Sequence, residues 1–132
     1  MGRSIQTFIP AELPTPLGPY SHISRSGQLI SISAVAGMDP ETGKLVGGDA
    51  YSQAKQIFKL FEVILATAGS DLAHVIHVNV FLKNMEHLDD VNRAYGEALG
   101  KSRPAGTVVG VPDLPKPGAL VTMSLIAITR DP

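Results

Sequence analysis

Side chains able to do chemistry are few and scattered in this sequence. None of the 132 residues is cysteine, which excludes disulfides, thiolate metal sites and cysteine nucleophiles together. Of the four histidines, His74 and His77 are three apart, a spacing that on a strand sends them to opposite faces. His22 and His87 stand alone and read as surface or satisfied structural residues. The carboxylates are dispersed, so no metal and no cofactor is expected. Val46-Gly47-Gly48-Asp49 sets a glycine pair before a helix, but it lacks the phosphate-binding patterns and Asp49 would repel an anion. It reads as a turn followed by a helix cap. There is no Gly-x-Ser-x-Gly, and no acid–histidine–serine set can be assembled from spacing.

What remains are polar residues beside glycine and proline. Gly18-Pro19-Tyr20-Ser21 puts an aromatic hydroxyl directly after a rigid loop, and Ser33 lies inside an apolar strand. Arg103-Pro104-Ala105-Gly106-Thr107 leads into another strand, and Thr122 interrupts an apolar one. Each has a structural reading as well: Tyr20 as an anchor for its loop, Ser33 as a partner for backbone, Arg103 as a solvated side chain and Thr122 as a residue that favours β structure.

The elements that must position these residues follow from periodicity. Residues 10–19 hold four prolines and a glycine and form an ordered loop. Residues 20–25 and 29–36 read as strands joined at Ser26-Gly27-Gln28. Ile57, Leu60, Phe61, Ile64, Leu65 and Ala68 recur at helical spacing and predict a helix over 50–68, with Asp49 as N-cap and Gly69 after its end. A second helix is expected over about 85–99, capped by Asn84. Residues 74–82 alternate, with Ile76, Val78, Val80 and Leu82 on one face and Val75, His77, Asn79 and Phe81 on the other. Residues 107–111 form a short strand. Residues 120–129 form the last, with Val121, Met123, Leu125 and Ala127 facing the helices and Thr122 and Ser124 turned away.

The order β-β-β-α-β-α-β-β predicts an α+β fold, a six-stranded mixed sheet with two helices on one face, in a single domain over 1–132. Nothing in the chain is left to cover the other face, so burial against further copies is expected. A formal net charge of −1 offers no basic surface for nucleic acid. No run approaches the roughly 18 apolar residues of a membrane span. The first residues carry no secretory signal, and Gln6 breaks the myristoylation pattern at Gly2, so the expected location is the cytoplasm.

The chain also resembles the RidA/YjgF family. The resemblance is carried by Leu17-Gly18-Pro19-Tyr20-Ser21, Asp39-Pro40-Glu41-Thr42-Gly43, Ala66-Thr67-Ala68-Gly69-Ser70 and Val80-Phe81-Leu82. It continues through Val91-Asn92-Arg93-Ala94-Tyr95, Arg103-Pro104-Ala105 and Leu114-Pro115-Lys116-Pro117-Gly118-Ala119-Leu120-Val121. It implies the chorismate-mutase-like YjgF fold and a homotrimer with a central barrel and small-molecule clefts between subunits. It implies enamine or imine hydrolysis to a keto acid and ammonia, with an arginine clamping the substrate carboxylate and a glutamate handling water.

Carried over position by position, Tyr20, Ser33 and Asn92 match the family's cleft. The arginine's position is Gly106, and the glutamate's is Thr122, with Ser124 two further on. Ser33-Ala34-Val35 replaces the usual Ser-Gly-Gln. Loss of a buried bidentate clamp should weaken carboxylate recognition by about 2–5 kcal/mol, and Thr122 is no base near neutral pH. Gly106 should open volume at the pocket floor. Arg103 is a candidate substitute, although its spacing on an extended segment points it away from position 106, and the Gly106 and Thr107 backbone N–H groups are a second candidate anion site. The substrate-binding set is therefore Tyr20, Ser33, Asn92, Arg103, Gly106, Thr107 and Thr122, with catalytic residues left open. Two functions follow: a divergent enamine/imine deaminase with a non-standard substrate, or a non-catalytic protein that binds and senses a metabolite. RNA cleavage, ascribed to some relatives, is disfavoured by the charge.

Overall fold

The computed structural model describes residues 4–131, so the Gly2 reading lies outside it. Six strands form one sheet in the order β1-β2-β3-β6-β4-β5. They are β1 (Gln6–Phe8), β2 (Ile23–Ser26), β3 (Leu29–Ala36), β4 (Val75–Leu82), β5 (Ala105–Gly110) and β6 (Val121–Ile128). Only β4 and β5 run parallel. The helices are α1 (Ala50–Thr67) and α2 (Leu88–Leu99), which complete the expected order of elements.

The sequence explains where α1 begins and ends. Asp49 accepts a hydrogen bond from the Ser52 N–H at 3.0 Å, which also holds its carboxyl below the usual carboxylate range. At the other end Gly69 turns left-handed at φ 83, and the Gly69 and Ser70 N–H groups bond back to the carbonyls of Ala66 and Leu65. The apolar stripe of α1 lies on the sheet: Ile57, Phe61, Ile64 and Leu65 are fully buried against Ile30, Ile32, Val78, Met123 and Leu125. Phe58 packs edge-on against Phe61, with ring centroids 5.9 Å apart. Gly37 lets α1 approach the end of β3, since a Cβ there would sit 2.2 Å from the Gln53 carbonyl oxygen.

Several expectations shift in detail. Tyr20 lies in the loop ahead of β2, not in the strand. The second helix opens with a separate 3-10 turn, Met85–His87, which Asn84 caps by accepting from the Glu86 N–H at 2.9 Å. β5 begins at Ala105, two residues early. His74 is not on β4: it closes a 3-10 turn, Leu72–His74, with its Nδ1 2.6 Å from Asp71 Oδ1. A register shift between Val75 and His77 then takes Ile76 out of the buried row, and it is exposed. From Val78 onward the alternation holds, with Val78, Val80 and Leu82 inward.

Candidate functional site

The proline loop packs against the residues that lead into β2. Leu13 is buried and anchors it, and the His22 ring lies 3.0 Å from the Pro14 carbonyl through Nε2. The Ser33 N–H donates to the His22 carbonyl at 2.9 Å, so the two residues sit opposite one another, one step beyond the Ile23–Ile32 pair. Ile23 and Ile32 face the core, and alternation turns His22 and Ser33 to the other face. There β3 carries a register shift between Ile32 and Val35, which displaces Ala34 outward. Loop and displaced strand enclose a cavity of about 120 Å³, lined by Pro14, Leu17, Tyr20, His22, Ala34 and Lys116 among others.

His22 is neither a surface residue nor a satisfied one. It is 4% exposed, and its Nδ1 is buried without a hydrogen-bond partner. The Ser33 Oγ is likewise buried and unpartnered. Thr122 lies on the same face, in register with Ala36 on one side and Phe81 on the other, and is 6% exposed. Ala36 is also part of the cavity wall. Farther across this face the Asn79 Nδ2 donates to Ser124 Oγ at 3.1 Å, and His77 Nε2 lies 2.9 Å from Thr107 Oγ1.

Gly106 belongs elsewhere. It is in register with the core residue Val78, so its missing side chain would point toward the helices, opposite to Thr107 and Thr122. The volume expected there is partly taken: a Cβ on Gly106 would stand 3.3 Å from the Tyr95 hydroxyl. Tyr95 packs edge-on against Phe58 at 5.6 Å, and burial pushes its pKa up. Arg103 is exposed and borders a second cavity of about 270 Å³, shared with Tyr95, Leu99, Ser102 and Pro104. Asn92 is exposed on α2, beside Arg93, whose guanidinium lies 3.8 Å over the Tyr51 ring.

One protomer turns Ser33 and Thr122 to the open face, puts Tyr20 in the cavity wall with Ala34 and Ala36, and sets Arg103 and Gly106 beside Tyr95 at the β5 edge. Thr107 points to the open face from that edge, and Asn92 stands apart on α2. No carboxylate among the described residues lines either cavity. Among the described residues no group of three or more histidine or acidic side chains could hold a metal ion. No helix among the described residues is long and apolar enough to cross a membrane. Sequence reasoning missed His22, Lys116 and Tyr95. The signal for His22 was its place two residues after Tyr20, where a strand pairing returns it to the same side as the loop.

Known proteins share this architecture. The sequence profile of the family described as "Endoribonuclease L-PSP" matches residues 11–129. A RutC family protein of Pyrococcus abyssi is 39% identical over 114 residues, covering 86% of this chain and 89% of its own. A human protein named 2-iminobutanoate/2-iminopropanoate deaminase is 35% identical over 118 residues, 89% of this chain and 85% of its own. The crystal structure of RidA from an Antarctic Psychrobacter superposes with a TM-score of 0.88 at 32% identity, over 93% of this chain and 98% of that one. With the six-stranded sheet, the two helices and a matching profile over nearly its whole length, the chain belongs to the RidA/YjgF family.

Proposed function

We propose that this protein binds a small metabolite in clefts between the subunits of a homotrimer, and that it hydrolyses the C–N bond of an enamine or imine that the usual arginine does not clamp. The observation that carries the reading is the division of the candidate residues between two separated places on one protomer. Ser33 and Thr122 are on the open face with Tyr20 in the adjoining cavity wall, while Gly106 is on β5 and Arg103 just ahead of it. A second copy that brings its β5 edge to this open face would complete the cleft. β5 also exposes Val108 and Val109 along an unpaired strand edge, which proteins normally cover. The human relative's name supplies the reaction class.

In such a cleft the chain's own groups orient rather than ionise. The Tyr20 and Ser33 hydroxyls can each donate to and accept from a substrate, and Thr122 can hold a water at the reacting carbon without deprotonating it. Turnover of simple 2-imino acids should therefore be slow. The test is ammonia release from 2-iminobutanoate generated in situ, measured beside the human relative. We expect a rate at least about tenfold lower, the consequence of losing one charge-assisted clamp, and a gain on introducing Gly106→Arg with Thr122→Glu. Equal rates for the two wild-type proteins would overturn the divergent reading. Absence of turnover with any imine, alongside saturable ligand binding, would identify the protein as a metabolite sensor instead. That outcome has its own support in the cavity beneath the proline loop, whose described wall carries no carboxylate.

A further inference from the structure

One buried polar side chain has partners that all belong to the frame of the candidate site. Gln53, near the start of α1, is fully buried. Its Oε1 accepts from the Leu120 N–H at 2.8 Å, two residues before Thr122 on β6. Its Nε2 donates to the carbonyls of Gly47 at 2.9 Å and Gly118 at 3.3 Å. A carbonyl can only accept and an N–H can only donate, so the amide has one orientation and both of its donors are used. The backbone of the same residue meets the end of β3, where a Cβ on Gly37 would run into the Gln53 carbonyl. Ala36, the neighbour of Gly37, is in register with Thr122 and belongs to the cavity wall. The two loops that Gln53 ties also touch each other. A Cβ on Gly118 would stand 3.1 Å from Leu45, and Leu45 bridges to Met38 across its turn. Gln56, one turn along α1, donates to the Met38 carbonyl at 3.0 Å. Met38 and Gly43 from one loop and Lys116 from the other share the wall of the 120 Å³ cavity with the proline loop.

We infer that Gln53 is a positioning residue for the candidate site. From the helix layer it holds the start of β6, which places Thr122, and it docks the two loops that complete the cavity wall. An amide of this reach offers two donors and an acceptor on one neutral group. An ionised glutamate in its place keeps the acceptor and loses both donors, and a methionine offers neither a donor nor a strong acceptor. The inference rests on the proposed function in one respect, that Thr122 and this cavity belong to the site.

The test substitutes Gln53→Glu and reads the methyl resonances of Met38 and Thr122 by ¹H–¹³C NMR, with Ile64 and Leu65 in the core as references. With the carboxyl ionised, at mildly alkaline pH, a charged oxygen faces the Gly47 and Gly118 carbonyls. Met38 and Thr122 should then shift while Ile64 and Leu65 stay in place. The Val46 amide, which donates to the Gly37 carbonyl, should exchange at least about tenfold faster than in the wild type. Burial and the facing carbonyls favour the protonated carboxyl, which donates again. Both resonances should therefore return toward their wild-type positions on acidification. Gln53→Met, similar in length and uncharged, should show the shifts without the return. It carries the test if circular dichroism shows the glutamate variant unfolded. Met38 and Thr122 resonances unmoved in a folded variant would overturn the inference. Equal displacement of Ile64 and Leu65 would also overturn it, because that marks a general loosening. Ammonia release from 2-iminobutanoate is read separately, and kcat should fall at least about tenfold in folded Gln53→Met. Methyl shifts in a protein that releases no ammonia would keep the role of Gln53 and discard the deaminase. Release at the wild-type kcat in folded Gln53→Met would keep the deaminase and discard the positioning role.

Discussion

At the scale of single residues, Gly106 shows how a substitution can close one door and leave another ajar. The position carries no charged group, and the Tyr95 hydroxyl occupies the near end of the path a side chain would take, 3.3 Å from where a Cβ would begin. A strand glycine is also entropically unfavourable. Gly106→Ala alone should consequently change stability little, because the gain in the unfolded state is offset by crowding against Tyr95. In a Tyr95→Phe background the same substitution should stabilise by about 0.4–1 kcal/mol. A double-mutant cycle in urea denaturation measures the difference. An identical effect in both backgrounds would show that Tyr95 does not restrict the position. His22 makes the complementary point. Its identity was plain in the sequence, but its meaning was not, since isolation along the chain says nothing about a partner eleven residues on. Only the pairing of His22 with Ser33 and the return of Pro14 over the ring make it a buried, half-satisfied group.

At the scale of elements, the sheet and both helices were legible because each buries one regular face. The stripe from Ile57 to Leu65 and the inward row Val121, Met123, Leu125 and Ala127 are all buried as their spacing predicts. Errors fell where regular spacing breaks. The register shift at Val75–His77 exposes Ile76, although its parity matches that of Val78. Another shift at Ile32–Val35 moves Ala34 outward, and neither leaves a mark in hydrophobic alternation. Loops were also hard to read, because long-range polar contacts hold them. The fully buried Gln53 on α1 is the clearest case. Its Nε2 donates to the carbonyls of Gly47 at 2.9 Å and Gly118 at 3.3 Å, and its Oε1 accepts from the Leu120 N–H at 2.8 Å. Gln53→Leu keeps the volume and removes every one of these bonds. It should destabilise by about 1–3 kcal/mol for each backbone group left buried and unpaired, seen as a lower urea midpoint. A loss under 0.5 kcal/mol, roughly the effect of an ordinary surface change, would mean that water replaces the amide.

For the whole molecule, the open face and the β5 edge belong to one question. Leu29 and Ile128 are exposed on the open face and Val109 at its β5 edge, with the polar pairs Asn79–Ser124 and His77–Thr107 on the same face. Such a surface is too apolar to be a comfortable exterior and too polar to be an ordinary core. The proposed homotrimer resolves this by placing it against neighbours. Sedimentation equilibrium at micromolar concentration should give three times the 13.9 kDa of the chain. Val109→Lys, which sets a charge on the exposed edge, should shift the distribution toward monomer. A monomer for the wild-type protein would end the trimer proposal. Periodicity left one sheet face uncovered and so called for further copies, but it gives neither their number nor their arrangement.

The division of the candidate site between an open face and a strand edge has a genetic consequence. Suppose one gene copy carries a lesion at Tyr20 and another a lesion at the β5 edge, each inactive by itself. Expressed together, they would form mixed assemblies. In about one cleft in four the intact open face of one protomer would meet the intact edge of another. Two broken alleles would then give a cell partial function, and the loss of that rescue on separating the two proteins would trace the cleft to its two owners.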